Sequence, residues 1–295
     1  MLREEGHEVF GIRRDISGLD ADLQGIEGDV AKPKSLGPAP ARVDYAVYAV
    51  SADEGTEQAY RRAYLDGLAG FLEWLADEGQ RPKRLVMVSS TSVYGQRRGE
   101  HIDEDSPTHP TQFRGETLLA AERLAATSGI QTVVIRFGGI YGPGREGLID
   151  RARDGKLEVR AAEHFTNRIH RDDAAGALRH LLLHPSPDPL YLGVDDESVE
   201  EATLFAWLAK ELGVQEPGSP DGPASSTGPD GPDGSTGPDG SNGSNGSTGP
   251  DDQKTRRPVG SKRCSNRRLR ESGFTLRYPT YREGYGALIR ARAAT

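Results

Sequence analysis

One cysteine in 295 residues, Cys264, leaves no partner for an internal disulfide and no ligands for a cysteine-based metal cluster. Long apolar runs are also missing. The longest fall far below the ~18 residues that a membrane-spanning helix needs. Met1 to Gly6 is charged and shows no apolar core of a secretory signal, so a cytoplasmic protein is the expectation. Lysine is scarce, seven of 37 cations, which reads weakly as genomic bias or a salt-adapted source. There is no basic surplus either. The net charge is −8, and six Asp with one Lys between 217 and 254 account for −5 of it. The remainder is mildly acidic, which excludes the basic face that nucleic-acid binding requires.

What is present is organised around Arg84 to Gly95, RLVMVSSTSVYG. Leu85 to Val88 is an unbroken apolar run, as expected of a strand covered on both faces in a parallel sheet. It ends in small hydroxyl residues, Ser89, Ser90, Thr91 and Ser92. Ligands of open α/β sheets lie just beyond such strand ends, where hydroxyls can donate and accept toward a sugar or a carbonyl. A polar turn that merely closes a strand would use the same residues.

The rest of the chain alternates. Met1 to Gly6 reads as the last turn of a helix, His7 to Ile12 as a strand, and 16–42 as loop punctuated by Gly and Pro. Strands are predicted at 43–50, 131–137 and 189–192. Helices are predicted at 57–78, at 112–127, at 172–183 with an acidic cap, at 199–212 and across RRLRESGF, with a last short one beyond Gly284. The run GGIYGPGR reads as a glycine-rich turn. Strands alternating with helices at this spacing predict a parallel, doubly wound sheet. Residues 217–254, built from GPDG and GSNG repeats, cannot bury enough surface to offset their ordering entropy and read as a disordered acidic insert.

Several stretches together resemble the extended short-chain dehydrogenase/reductase family, the NAD(P)-dependent epimerases and dehydratases of nucleotide sugars. GHEVFGIRRD resembles its second strand, Gly28-Asp29-Val30 its adenine-contacting turn and SSTSVYG its active-site strand end. RFGGIYGPG resembles the loop after its sixth strand, NRIHRDDAAGAL its returning helix and RLRESGFTLRYPTYREG its C-terminal end. The resemblance implies an α/β, Rossmann-like doubly wound parallel sheet lacking its first strand and glycine-rich turn, with a small C-terminal lobe. The missing part, roughly 20 to 25 residues, would lie upstream of Met1 and leave an open slot in the sheet. The implied domains are a cofactor-binding unit at 1–195 and a substrate-side lobe at 196–216 and 255–295, around the insert at 217–254.

By the same resemblance Arg13, Arg14, Asp29, Val30, Val50, Ser51 and Ser89 are the expected cofactor contacts. Arg13 stands where NAD-selective relatives carry an acidic residue. A guanidinium suits a 2′-phosphate, which favours NADP, with NAD as the alternative. Two arginines that only close a strand would look alike. Ser90 matches the hydroxyl that shares the substrate oxygen. Thr91, Tyr94, Gly139, Arg145 and Asn167 are the expected substrate contacts, with Arg136 a second candidate for a diphosphate. His170 with Asp172 or Asp173 could form a relay or simply pack.

The Y-x-x-x-K pair of the family is absent. Matching RGETLLAAE places Arg114 at the Tyr and Leu118 at the Lys, and a shift by one places Phe113 and Thr117 there. Neither register moves a proton, because Phe has none to give and Arg stays protonated. Turnover is therefore left open. The chain is either an oxidoreductase or isomerase acting on a nucleotide sugar or similar hydroxyl or carbonyl substrate, or a non-catalytic dinucleotide-binding sensor or scaffold. Relatives often pair through two long helices, here 57–78 and 112–127, so a homodimer is the expected assembly.

Overall fold

The computed structural model describes residues 1–20, 23–160, 162–218 and 260–294. The predicted acidic insert lies, from residue 219 onward, outside the described residues. The described residues form twelve short strands and eight α-helices. After a 3₁₀ turn at Arg3–Glu5 come β1 (Phe10–Arg13), β2 (Gln24–Glu27) and β3 (Tyr45–Tyr48). Helix α1 (Glu57–Arg61) passes through one π turn into α2 (Gly67–Asp77), followed by β4 (Arg84–Ser90) and β5 (Glu100–Ile102). Next are α3 (Phe113–Ala126), β6 (Thr132–Phe137), β7 (Gly139–Tyr141) and α4 (Gly147–Arg153). Then come β8 (Phe165–Thr166), β9 (Arg168–His170), α5 (Arg171–Leu183), β10 (Leu190–Gly193) and β11 (Val199–Glu200). Helix α6 (Glu201–Leu212), β12 (Lys262–Cys264), α7 (Arg267–Glu271) and α8 (Tyr281–Ala293) complete the described chain.

The centre is a four-stranded parallel sheet in the order β10-β6-β4-β3. Strand β4 is apolar on both faces because both faces are covered. Leu85 and Met87 pack with Leu68, Phe71, Trp74 and Leu75 of α2 and Ala121 and Ala125 of α3. Val86 turns the other way, with Val133, Ile135 and Phe137 of β6, onto Ala174, Ala177 and Leu181 of α5. The sheet is thus doubly wound. A third cluster, of Ile149, Leu204, Leu208, Tyr281 and Tyr285, joins α4, α6 and α8 beyond the carboxyl rim.

Strands β1 and β2 pair in parallel with each other, and among the described residues they share no ladder with the central sheet. Val47 of the edge strand β3 is 38% exposed. It lines a cavity of about 670 Å³ whose wall mixes Leu2, Val9 and Leu178 with the charged Arg3, Glu4, Asp20 and Arg179.

The predicted 57–78 helix is broken by its π turn, for a visible reason. The Tyr48 hydroxyl donates to the Ala63 carbonyl at 2.6 Å, while the Gly67 N–H bonds to Arg62 O, one residue further back than in an α-helix. A Cβ at Gly67 would sit 2.5 Å from that hydroxyl, and one at Gly70 would sit 2.1 Å from Val30 O. The other differences are small elements. The glycine-rich run predicted as a turn contains β7, which pairs in parallel with β9. Strand β12, parallel to β5, and helix α4 are additions to the predicted elements. The cap of α5 is His170, whose Nδ1 accepts from Asp172 N at 3.2 Å, and not an aspartate.

Because Leu75 is 2% exposed between α2 and the sheet, Leu75→Ala should cost about 2–5 kcal/mol through its cavity. Val47→Thr, at a partly open position, should cost under about 1 kcal/mol. Denaturant unfolding of both variants measures the contrast.

Candidate active site at the carboxyl end of the central strands

Strand β4 delivers Ser89 and Ser90 to the carboxyl rim with opposite orientations, as alternation requires. The Ser89 hydroxyl is buried and donates to Glu122 Oε1 at 2.6 Å. Ser90 faces the other way, accepts from Ser92 N at 3.2 Å, and opens with Thr91 onto a cavity of about 690 Å³. Expected substrate contacts Tyr94, Gly139, Arg145 and Asn167 line the same cavity.

A buried ionic network forms the floor. Arg136 donates from Nε to Glu122 Oε1 at 2.9 Å and from Nη2 to Glu122 Oε2 at 2.6 Å. Its Nη1 donates to the Tyr94 hydroxyl at 2.8 Å, and that hydroxyl donates to Asp103 O at 2.9 Å. Arg136 is therefore spent on the scaffold and does not face a ligand as the sequence suggested. Burial pushes the Tyr94 phenol up to about 12. Tyr94 borders the cavity with its hydroxyl already engaged.

Asn167 is also largely committed. Its Nδ2 donates to Lys262 O at 2.9 Å, and its Oδ1 accepts from Cys264 N at 2.8 Å and from Ser198 Oγ at 2.5 Å. It laces β12 to the site. Arg145 is exposed at the mouth. His170 packs against Tyr278, the two rings inclined at 40° with centroids 3.9 Å apart. Burial lowers the proton affinity of its ring. Asp173 accepts from Arg277 N and Tyr278 N at 2.7 and 2.9 Å, which ties down the C-terminal segment. His170 Nδ1 accepts from the Asp172 backbone N–H and lies 3.8 Å from the Asp172 carboxylate, beyond hydrogen-bond reach.

On α3, Arg114 lies against the Phe113 ring at 4.8 Å and lines the cavity, while Leu118 is buried beside Val93 and Tyr94. The positions of the expected Tyr and Lys thus hold a guanidinium and an isobutyl group. The cavity is cationic in an acidic protein. Arg97, Arg114, Arg145, Arg151, Arg168 and Lys262 line it, against one carboxylate among the described residues, that of Glu201, which pairs with Arg160 at 3.4 Å. The sequence reading missed Lys262 and Arg168. Lys262 lies just beyond the acidic insert, and Arg168 sits in a motif read as the lead-in to a helix.

Of the expected cofactor contacts, Ser89 is buried with its hydroxyl on Glu122, and the others stand at the strand ends outside this cavity. Arg13 and Arg14 are exposed at the end of β1. The Arg13 guanidinium donates to Gly18 O at 3.0 Å, and Arg14 pairs with Asp53 through two bonds of 2.9 and 2.7 Å. Asp29 and Val30 follow β2, where the Asp29 carboxylate accepts from Ala31 N at 3.0 Å and pairs with Arg62. Val50 and Ser51 follow β3.

The family model for NAD dependent epimerases and dehydratases matches residues 1–190, and the chain belongs to that family. Protein YeeZ of Escherichia coli is 30% identical over 138 residues, 46% of this chain and 49% of its own length, so the chain spans about half of that relative. A 3-diazoavenalumate denitrifying reductase of a Streptomyces species is 28% identical over 237 residues, 73% of this chain and 77% of its own. A solved protein of Methylobacillus flagellatus, assigned to the same epimerase/dehydratase family, superposes with a TM-score of 0.72 at 31% identity, covering 99% of this chain and 92% of that one. The more distant MoeE5, solved with UDP-glucuronic acid and NAD, shares the fold at 21% identity and a TM-score of 0.73, over 100% of this chain and 94% of its own.

Two outcomes follow from the buried groups. Glu122→Gln leaves the Arg136 charge uncompensated and should cost about 3–5 kcal/mol in denaturant unfolding. Asp195, beside Arg168, is 2% exposed, and burial pushes its carboxyl up to about 8. The folded chain then keeps a proton that the unfolded chain loses near pH ~4, so stability should fall as pH rises from about 4 to about 8 and level off above. Asp195→Asn should flatten that slope, measured by urea unfolding across the interval.

Proposed function

We propose that this protein binds NADP, or NAD in its place, and works as an oxidoreductase or isomerase on a small, negatively charged substrate bearing a hydroxyl or carbonyl. The observation that carries this reading is the cationic cavity at the carboxyl end of β4, where Ser90 and Thr91 open beside six cationic side chains. A nucleotide sugar has the charge and the hydroxyls to suit it. The Streptomyces relative, a reductase by name, supports a redox step.

The residues present fit a dinucleotide. Arg13 and Arg14 form a cationic, exposed pair at the end of β1. The Arg14–Asp53 ion pair is exposed, and such a pair is worth at most ~1 kcal/mol, so the guanidinium is available to a 2′-phosphate. Asp29 and Val30 would meet the adenine end, and Val50 and Ser51 the nicotinamide end, with Ser89 behind them. When bound, the dinucleotide supplies or takes up hydride. Ser90 would hydrogen-bond the substrate oxygen, with Thr91 at its side. Gly139 would let substrate approach the backbone, Arg145 would meet its charge at the mouth, and Tyr94 and Asn167 would shape the wall. The helices 57–78 and 112–127 would pair two copies, and 1–195 would act as the cofactor-binding unit against the lobe at 196–216 and 255–295.

A second reading is a dinucleotide-binding sensor without turnover, favoured by Arg114 and Leu118 in place of the Tyr–Lys pair. Fluorescence titration with NADPH, followed by hydride exchange from labelled NADPH into a panel of nucleotide sugars, separates the two. Exchange establishes the enzyme, binding without exchange favours the sensor, and no binding rejects both. Arg13→Glu with Arg14→Glu should raise the NADPH Kd about 10–100-fold, the loss of one to two charge-assisted contacts, with little change for NADH. Equal weakening of both cofactors would remove the 2′-phosphate argument.

A further inference from the structure

Lys262 is 6% exposed and lines the cavity beside Ser90 and Thr91. Its Nζ donates to Thr91 O at 2.9 Å and to Tyr94 O at 2.8 Å, the two ends of the 3₁₀ turn that follows Ser90. Among the described residues no carboxylate lies within 4 Å of it, although an unpaired buried ammonium is costly. Its position is fixed from behind by Asn167, which holds the Lys262 carbonyl and the Cys264 N–H of the same strand.

An ammonium has three N–H bonds in tetrahedral array, and an amine has two and a lone pair. In this site two donors are used by fixed carbonyls, and both forms of the group satisfy them. The remaining direction alternates between N–H and lone pair without breaking a protein hydrogen bond. Burial above all, and the Arg97 guanidinium, favour the amine. Glu100 and Cys264 oppose them. The Cys264 thiol, pushed up to about 12 by its own burial, stays neutral.

We infer that Lys262 is the proton donor and acceptor of this site, a catalytic residue that β12 supplies in place of the Tyr–Lys pair absent from α3. The inference rests on the oxidoreductase reading above. A carbonyl carbon that receives hydride from a reduced nicotinamide dinucleotide moves its π pair onto oxygen. That oxygen takes a proton from Nζ, so an O–H bond forms as an N–H bond breaks, and the amine left behind regains its proton from water. In oxidation the lone pair takes the hydroxyl proton. Ser90 steadies the oxygen throughout.

The full-length protein allows a test in two arms. In the first, competitive acetylation of the unliganded wild type, read by mass spectrometry across pH, compares Lys262 with the other lysines. Lys262 should become reactive at lower pH than they do, and an ordinary lysine profile overturns the proposal. In the second, phenanthrenequinone is the carbonyl probe. Lys262→Met and Lys262→Arg should bind NADPH as wild type does, yet transfer hydride about 100-fold or more slowly, the usual worth of a positioned acid. Arginine keeps the charge and the donors but does not release a proton. Recovery of rate in Lys262→Arg would therefore assign the residue to structure or charge and overturn the inference. Loss of NADPH binding in the wild type would strike the proposed function instead, and the labelling arm would still judge Lys262.

Discussion

The structure rests on the pair of Glu122 and Arg136, closed by two hydrogen bonds in the interior. Neither charge could be there alone, because burying an unpaired ion costs several kcal/mol, on the order that a whole domain has to spare. The geometry answers this fully on the acid side: Glu122 takes both arginine bonds and the Ser89 hydroxyl. Arg136 gives its remaining arm to Tyr94. Four segments are joined in this way, namely α3, β4, β6 and the turn after β4. They are the segments that set where Ser90 stands. A slip of β4 by one residue would exchange Ser89 with Ser90, putting the partner of Glu122 in the cavity and the site hydroxyl in the core. The buried pair is thus a register lock, and the position of Ser90 is its consequence.

The helix α3 has accordingly changed its duty. In the family pattern its first turns carry the groups that move a proton. In this chain Arg114 lies on aromatic rings, Leu118 is core, and Glu122 anchors the floor. The cavity draws its reactive groups from the other side, where β9 and β12 bring Arg168 and Lys262. Both are more than nine-tenths buried in a chain with a net charge of −8. Low-dielectric walls carry the field of such cations into the cavity with little screening, which raises the local concentration of anions. This buried cationic lining is what gives the site a preference for anions.

The doubly wound sheet was legible in the sequence because β4 and β6 are apolar on both faces and their helices show clear periodicity. Leu85 to Val88 could hardly be anything but a covered strand. The small elements were hidden by length. A three-residue strand such as β7 holds too few side chains to show alternation, and its glycines pointed to a turn. The π turn was hidden for a different reason: it depends on a hydroxyl from Tyr48, fifteen residues before the carbonyl it captures. The site was half legible. Ser90, Thr91 and Arg145 could be placed because strand ends and glycine loops are local signals. Arg136 looked the same as a ligand-facing arginine, since nothing local says whether a carboxylate fourteen residues earlier will reach it. Lys262 was invisible for the strongest form of this reason, standing 171 residues from the carbonyl that fixes it.

That last distance bears on how the site is held. A proton-moving group on α3 would be set by the same helix that anchors the floor. Lys262 is instead set by a chain of contacts that begins at Asn167, passes through the β12 backbone and ends at the carbonyls after Ser90. Each link is a neutral amide or an ammonium–carbonyl bond, individually worth ~1–3 kcal/mol, with no ion pair among them. The fixed floor and the less firmly tied wall meet at Tyr94, whose hydroxyl belongs to the network of Arg136 and whose carbonyl belongs to Lys262. Tyr94 is therefore the residue through which the rigid sheet passes its geometry to the lysine, and this explains why a phenol with no free hydroxyl is buried at the edge of a polar cavity.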